Sequence, residues 1–252
     1  MDLIIPDWTG IPANIGALTT TRRGGFSRSP YDDGMGHGGL NLAMHVADQE
    51  HVVQQNRQLL KAILPSEPAW LTQVHGVAVV DAASITGAPE ADASISTVPG
   101  VVCAIQTADC LPVLFSDVKG QVVGAAHAGW RGLLHGVLNK TLERMQTAGA
   151  EEIIAWLGPA IGPQCFEVGA EVMHAFIERD QDAQQAFRPV VAQPEKYLAD
   201  IYQLARLLLN KSGVSKIYGG GFCTVTDRDT FYSYRRDKTT GRMASLIWIK
   251  ST

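Results

Sequence analysis

His75, Cys110 and His127 are the side chains whose types carry the most chemistry, and each stands beside a turn. Imidazole nitrogen and thiolate sulfur are donors zinc prefers, and a catalytic zinc keeps three protein ligands and one open position. Such an ion draws the pKa of a water toward neutrality. The same residues admit a second chemistry, with Cys110 as a nucleophile and His127 or His75 as the base that raises its thiolate fraction. In the first the sulfur ligates a metal; in the second it attacks carbon. The spacing is long-range, so the residues alone leave both open. A third reading has Cys110 as a small buried hydrophobe and the histidines as satisfied polar groups. The H-x-E and P-C-x-x-C signature of cytidine-type zinc deaminases does not occur.

Around these three, Asp109 reads as a base, an orienting carboxylate or a turn former. Arg22, Arg131, Arg235 and Arg236 adjoin Gly turns or strand ends, where a guanidinium fork suits phosphate or carboxylate. Arg131 is the strongest of them, because a helix starts beside it and helix N-terminal N–H groups attract anions. Cys103, inside a strand, and Cys223, after Phe222, read as core packing.

The elements that position these groups come from apolar patterning. Val101–Ile105, Val113–Phe115 and Val122–Ala126 are short apolar runs bounded by Gly, Pro and Asp, which suits buried strands. Cys110 falls in the break Gln106–Pro112, and His127 ends the third strand. Gly129-Trp130-Arg131-Gly132 then leads into a helix over Leu133–Thr147, with Leu134, Val137, Leu138, Thr141, Leu142 and Met145 on one face. Further strands are expected at Leu3–Ile5, Ala17–Thr21, Trp70-Leu71, Val77–Val80, Ile153–Leu157, Lys216–Tyr218, Phe231–Tyr234 and Ala244–Ile249. Helices are expected over Gln49–Leu64, Glu171–Glu178 and Tyr197–Ser212, the first stopped by Pro65 and the last by Gly213. Arg22–Gly25 reads as a turn, Ala91–Ser96 as an edge strand or loop, Asp180–Gln193 as a mobile polar connection and Arg235–Arg242 as a basic turn. Gly34–Gly39 is either a flexible loop or a lid that brings His37 or His45 to a ligand. Strands and helices mix irregularly, which favours an α+β class with mixed β-sheets in one domain over 1–252.

Composition narrows the function classes. The chain is 46% apolar, enough for a sizeable core. A net charge of -4 without a Lys/Arg cluster argues against non-specific nucleic-acid binding, which needs a concentrated basic surface. No stretch approaches the roughly 20 apolar residues that span a bilayer. Met1–Pro6 lacks the pattern of a signal peptide, so the expected compartment is cytoplasmic. The 4 cysteines, none in a C-x-x-C pair, then read as thiols.

Five segments appear in the order they have in a known family. They are Gln73-Val74-His75-Gly76, Thr107-Ala108-Asp109-Cys110-Leu111-Pro112-Val113, His127-Ala128-Gly129-Trp130-Arg131-Gly132, Leu157-Gly158-Pro159-Ala160-Ile161-Gly162 and Ser233-Tyr234-Arg235-Arg236. Together they resemble the YfiH-type laccase-domain family, also called the multicopper polyphenol oxidase or peptidoglycan-editing-factor family, over nearly the whole chain. The resemblance implies a layered α/β/β/α sandwich and a zinc ion held by His75, Cys110 and His127. With the residue reading above, the expected catalytic residues are Cys110, Asp109 and His127, and Arg22, Asn41, Gln73, Arg131 and Arg235 are expected toward substrate and phosphate. The implied reactions are phosphorolysis of adenosine, inosine and methylthioadenosine and deamination of adenosine, so the partners are small molecules.

Other members are described as copper-dependent phenol oxidases or as amidases that edit a cell-wall precursor; a metal-binding partner protein is the non-enzyme alternative. A multicopper cluster needs many histidines, commonly in His-x-His pairs. This chain has 7 histidines and no such pair, which ranks oxidase activity lower even though copper outranks zinc in intrinsic affinity. One departure from the family pattern stands out. Asp32–Gly39 intervenes between Tyr31 and Leu40-Asn41-Leu42, and Ala43 occupies the place of a family glycine.

Overall fold

Strands covered on both faces need apolar side chains on both, so they read as continuous runs rather than as alternation. The computed structural model, which describes residues 1–191 and 193–251, builds its sheets from such runs. Along the chain lie β1 (Leu3–Ile4), β2 (Ile15–Thr20), β3 (Arg23–Ser27), α1 (Glu50–Lys61), β4 (Val79–Asp81), β5 (Ala93–Ser96), β6 (Val102–Thr107), β7 (Leu111–Asp117), β8 (Val123–Ala128), α2 (Trp130–His135), α3 (Val137–Thr147) and β9 (Ile153–Leu157). The remainder carries β10 (Glu167–Gly169), α4 (Ala170–Arg179), β11 (Phe187–Val190), β12 (Gln193–Ala199), α5 (Ile201–Lys211), β13 (Lys216–Gly219), α6 (Tyr234–Asp237) and β14 (Met243–Ile249).

Two sheets stack at the centre. One is 4-stranded, in the order β1-β2-β14-β6; the other is 6-stranded, in the order β13-β9-β7-β8-β5-β4. The first is antiparallel throughout, whereas the second is mixed, with β13/β9 and β4/β5 parallel. Between them, Cys103, Ile105, Ile247 and Ile249 of the smaller sheet meet Leu114, Val123, Ile154 and Trp156 of the larger. The outer face of the larger sheet, with Val113, Phe115 and Leu157, packs on α3, α4 and α5 through Leu138, Met145, Phe176 and Leu204. The outer face of the smaller sheet, with Leu18, Val102 and Leu246, is covered by Leu60 of α1 and by Leu40 and Leu42. The layers are therefore α/β/β/α, as the resemblance implies. Burying each large side chain in these layers contributes about 1.5–3 kcal/mol.

Several elements differ from their sequence reading. The helix expected over Leu133–Thr147 is broken at Gly136, whose φ of 96° is left-handed, so α2 and α3 are separate. The helix expected from Tyr197 starts at Ile201, because Tyr197 and Leu198 pair with β10 and β11 in a third, 3-stranded sheet. The polar stretch Asp180–Gln193 is ordered over its described residues, as a 3₁₀ turn at Gln181–Ala186 and strand β11; residue 192 lies outside the described residues. Arg23–Gly25 extends as β3, bridged to Gly39, instead of turning. Ala93–Ser96 is wholly buried inside the larger sheet, between β8 and β4, where an edge strand or loop was expected. Trp70-Leu71 forms no strand of its own. Phe231 and Tyr232 are buried but not in a strand, and the Ser233 side chain caps the one-turn α6. The Gly-rich segment is held rather than loose: Asp33 accepts from the N–H groups of Met35 (2.8 Å) and His37 (2.9 Å).

Candidate metal centre

The hairpin β7–β8 brings two of the three chemical residues together through its register. Pro112 pairs with His127 and Leu111 with Ala128, so Cys110, one residue before the strand, reaches the His127 end of β8. Asp117 closes the far end of the hairpin by accepting from the N–H groups of Gln121 (2.7 Å) and Val122 (2.8 Å). His75 comes from the loop before β4, in a left-handed conformation with φ 61°. Left-handed backbone costs a residue other than Gly about 1–2 kcal/mol, and surrounding contacts must hold it.

Those contacts come from Asp92, a residue the sequence reading did not single out. Its carboxylate is fully buried and accepts from the backbone N–H of Val74 (3.2 Å), His75 (2.9 Å) and Gly76 (2.6 Å). It also accepts from His127 Nδ1 at 2.7 Å. One carboxylate therefore fixes the His75 loop by its backbone and the His127 ring by its side chain, leaving His127 Nε2 to face Cys110. A histidine that gives its other ring N–H to a carboxylate is the usual arrangement of a metal ligand. Burial pushes the Asp92 carboxyl up, but His127 and the N–H groups of Gly76 and Val74 outweigh it and hold it below the ordinary carboxylate range. The only signal in the sequence is a charge between two alanines, Ala91-Asp92-Ala93, at the start of a strand.

The ligating atoms of His75, Cys110 and His127 all lie within 4.8 Å of one another. Cys110 Sγ and His75 Nε2 are 3.7 Å apart, and the two imidazole centroids are 4.8 Å apart. Burial pushes the Cys110 thiol up, yet the charge of His127 and hydrogen bonds from His127 and His75 bring it down to about 6. Burial works against the His127 imidazolium, but the Cys110 thiolate and Asp92 raise it to about 9. The pocket is therefore built for a thiolate beside a proton-holding imidazole, and the proton is the group an incoming cation displaces. Two borderline nitrogens and one thiolate are a donor set that fits zinc, with a position left over. Among the described residues, this is the one group of three or more His, Cys, Asp or Glu side chains that converges closely enough to hold an ion.

The triad sits where two cavities meet, and both are lined by His75, Ala108, Cys110 and Tyr234. One, of about 250 Å³, adds Trp130, Phe166, Ile161 and Ile201 with Arg131, Arg235 and Asp109. The other, of about 370 Å³, adds Gln73, Gln106, Thr107, His127, His45 and Arg242. Arg131 lies over the Trp130 ring at 4.5 Å. Arg235 donates to Glu167 O at 3.0 Å, 5.7 Å from the Phe166 centroid. Asp109, with φ 92°, accepts from Thr224 Oγ1 and from the Arg235 N–H, both at 2.6 Å, so both carboxylate oxygens are engaged. Gln73 exchanges two hydrogen bonds with the backbone of Gln106.

Two expected substrate residues stand elsewhere. Arg22 is buried, donates to Asp32 O and Arg228 O, and lies 5.0 Å over the Tyr232 ring. Asn41 is fully buried and bonds Ala43, Asp48 and the Arg242 N–H. Asn41 thereby braces Arg242, which lines the second cavity, whereas Arg22, away from both cavities, holds the backbone of Asp32 and Arg228. His45 reaches the second cavity, whereas His37 stays at the surface, paired with Asp33. Arg242, which the sequence offered only as part of a basic turn, faces Cys110; nothing in its residue type separates it from a surface charge. Cys103 is core packing as expected, but Cys223 is half-buried at a separate cavity.

The family model described as multi-copper polyphenol oxidoreductase laccase matches residues 16–250. The chain belongs to this family. The YfiH protein of Escherichia coli, named a purine nucleoside phosphorylase, is 52% identical over 253 residues, covering 98% of both chains. A purine nucleoside phosphorylase of Pseudomonas aeruginosa is 50% identical over 247 residues, again covering 98% of each. Among solved structures, a Neisseria meningitidis protein is similar with a TM-score of 0.91 at 47% identity, covering 100% of both chains. YlmD of Geobacillus stearothermophilus follows the same fold with a TM-score of 0.81 at 30% identity, over 95% of this chain and 93% of its own. The family's description and its members' names point to different chemistry, copper oxidation and nucleoside cleavage, and the donor set of the triad bears on both.

Proposed function

We propose that the protein is a zinc-dependent purine nucleoside phosphorylase, acting on adenosine, inosine and methylthioadenosine, that also deaminates adenosine. The observation that carries this reading is the convergence of two imidazoles and one thiolate at the mouth of an aromatic, arginine-lined cavity. The names of the relatives supply the reaction class. His75, Cys110 and His127 would hold the ion, which when bound supplies Lewis acidity at the open side of the triad.

The chain's own residues do the rest. Trp130, Phe166 and Tyr234 offer flat walls on which a purine stacks. In phosphorolysis a phosphate oxygen attacks ribose C1′ as the bond to the purine nitrogen breaks. Arg131 and Arg235 hold that anion and balance its charge without reorganising. Asp109 acts as a positioning residue, fixing the Arg235 backbone against Thr224. Asp92 keeps His127 turned toward the reacting groups. In deamination water attacks the purine C6, the bond from C6 to its amino nitrogen breaks, and that nitrogen takes a proton and leaves as ammonia; phosphate takes no part, so the reaction makes no demand on the arginines.

The second reading treats Cys110 as the nucleophile of an amidase acting on a cell-wall precursor, and the lowered thiol beside a raised imidazole favours it. Metal-stripped protein, reloaded with zinc or copper, distinguishes the readings when assayed on adenosine, inosine, a phenol and a UDP-muramoyl amino acid. Zinc is expected to restore nucleoside turnover. Cys110→His is expected to retain some metal, since it exchanges one zinc ligand for another. A substrate fragment found covalently on Cys110, or turnover of the muramoyl substrate alone, would sink the nucleoside reading.

A further inference from the structure

Cys223 and Cys165 converge on one turn behind the aromatic cavity. Cys165 N donates to Gly162 O at 3.0 Å, and Gly162 N donates to Cys223 Sγ at 3.3 Å. The approach is close: a Cβ on Gly162 would stand 2.9 Å from Cys223 Cβ and 3.0 Å from its sulfur. Both thiols are half-buried: Cys165 packs against the edge of the core, and Cys223 lines a cavity of about 270 Å³ with Gln164, Tyr202, Gly221, Thr226 and Asp227. Their environments differ in kind. Burial pushes the Cys223 thiol up, but the Thr226 hydroxyl and the N–H groups of Thr226, Gly162 and Val225 outweigh it and hold it below the ordinary thiol range. Burial raises the Cys165 thiol, and hydrogen bonding to Cys223 raises it further. Each cysteine is one residue from the proposed active site: Phe166 lines the aromatic cavity, and Thr224 holds Asp109.

We propose that Cys223 and Cys165 form a hydroperoxide-reactive dithiol, a modification site in which Cys223 attacks and Cys165 resolves. A thiolate cradled by N–H donors at an accessible cavity, with a second thiol alongside, is the arrangement redox-sensitive cysteines use. The Cys223 thiolate attacks one oxygen of the peroxide, the O–O bond breaks, and the departing hydroxide takes a proton to become water. Cys223 is then a sulfenic acid. Cys165 gives up its proton, its sulfur attacks Cys223 Sγ, and the S–O bond breaks to release the second water. Two thiols are oxidised to one disulfide while one peroxide is reduced to two waters.

The zinc-loaded full chain is treated with one equivalent of hydrogen peroxide and read by peptide mass spectrometry, which keeps the Cys110 peptide separate. The expected product is a Cys165–Cys223 cross-linked peptide, lighter by two hydrogens and restored by dithiothreitol. In Cys165→Ser the sulfenic acid on Cys223 has no resolving partner, and dimedone is expected to label Cys223. In Cys223→Ser, dimedone labelling of Cys165 is expected to be about tenfold or more below that of Cys223 in Cys165→Ser. Cys103, fully buried with its thiol pushed up to about 12, provides the unreactive baseline. Absence of the cross-link from peroxide-treated wild type, or dimedone labelling on Cys165 in preference to Cys223, would overturn the proposal.

Discussion

Asp92 sets two of the proposed metal ligands at once, and its effect reaches the proton inventory of the pocket. With His127 Nδ1–H committed to Asp92, the proton raised to about 9 sits on the side facing Cys110, whose thiol is lowered to about 6. Between these values the sulfur is already a thiolate and the imidazole still carries its extra proton, so one proton must leave as the ion enters. Zinc binding at pH 7 is therefore expected to release about one proton from His127. Across pH 7 to 9 the apparent affinity should climb about tenfold per pH unit. Calorimetry in buffers of different ionisation enthalpy measures the release; an affinity flat over that range would mean His127 is neutral beforehand. Arg131 gives a second prediction at this scale. It is exposed beside the cavity, so Arg131→Gln should raise the KM for phosphate about tenfold, the loss of one charge-assisted contact, with deamination changed less than about twofold. Equal loss of both activities would mean the arginine serves the nucleoside. The three candidate ligands were legible because they stand in recognisable local strings. Asp92 and Arg242 were not, because their roles depend on what packs against them.

At the scale of elements, the β7–β8 register and the start of α2 decide how close the ligands come. Gly129 caps α2 with φ -60°, a conformation any residue adopts, so its lack of a side chain answers to space and not to backbone. A Cβ there would lie 2.8 Å from His75 Cδ2 and 3.1 Å from Cys110 Sγ. Gly129→Ala is expected to leave the fold and its melting temperature nearly unchanged while weakening zinc binding about tenfold or more. An alanine variant that binds zinc as wild type does would show that the ligands have slack the structure does not suggest. The elements read best from sequence were the apolar runs, since β6 to β9 and β14 fall where both faces are buried. The errors came from tertiary partners overriding local pattern. Tyr197 and Leu198 continue the helical periodicity of α5 but are claimed by sheet pairing, and Ala93–Ser96 looks polar yet lies between two strands. Gly136 interrupts an amphipathic stripe that otherwise runs unbroken from α2 into α3.

For the whole molecule, the triad gathers the loop before β4, the β6–β7 connection and the end of β8 at one point. An ion bound there stabilises the folded chain by mass action, about 2.7 kcal/mol at a concentration one hundred times its Kd. For a chain of this size that corresponds to a rise in Tm of about 5–10 °C on loading stripped protein, measurable by calorimetry. A Tm indifferent to zinc would mean that the three donors do not bind it in the folded state. The layered α/β/β/α architecture was anticipated by the family motifs, whereas composition and periodicity reached only the α+β class, because which faces pack together is a long-range fact. The account stands most directly on one product assay. Stripped and zinc-reloaded protein are incubated with inosine and phosphate, and ribose 1-phosphate and free base are quantified together. Equimolar ribose 1-phosphate and hypoxanthine, absent from stripped protein, restored by zinc and absent again in zinc-treated Cys110→Ala, is the predicted result. Equal turnover by stripped and reloaded protein, or base released without ribose 1-phosphate, would contradict it.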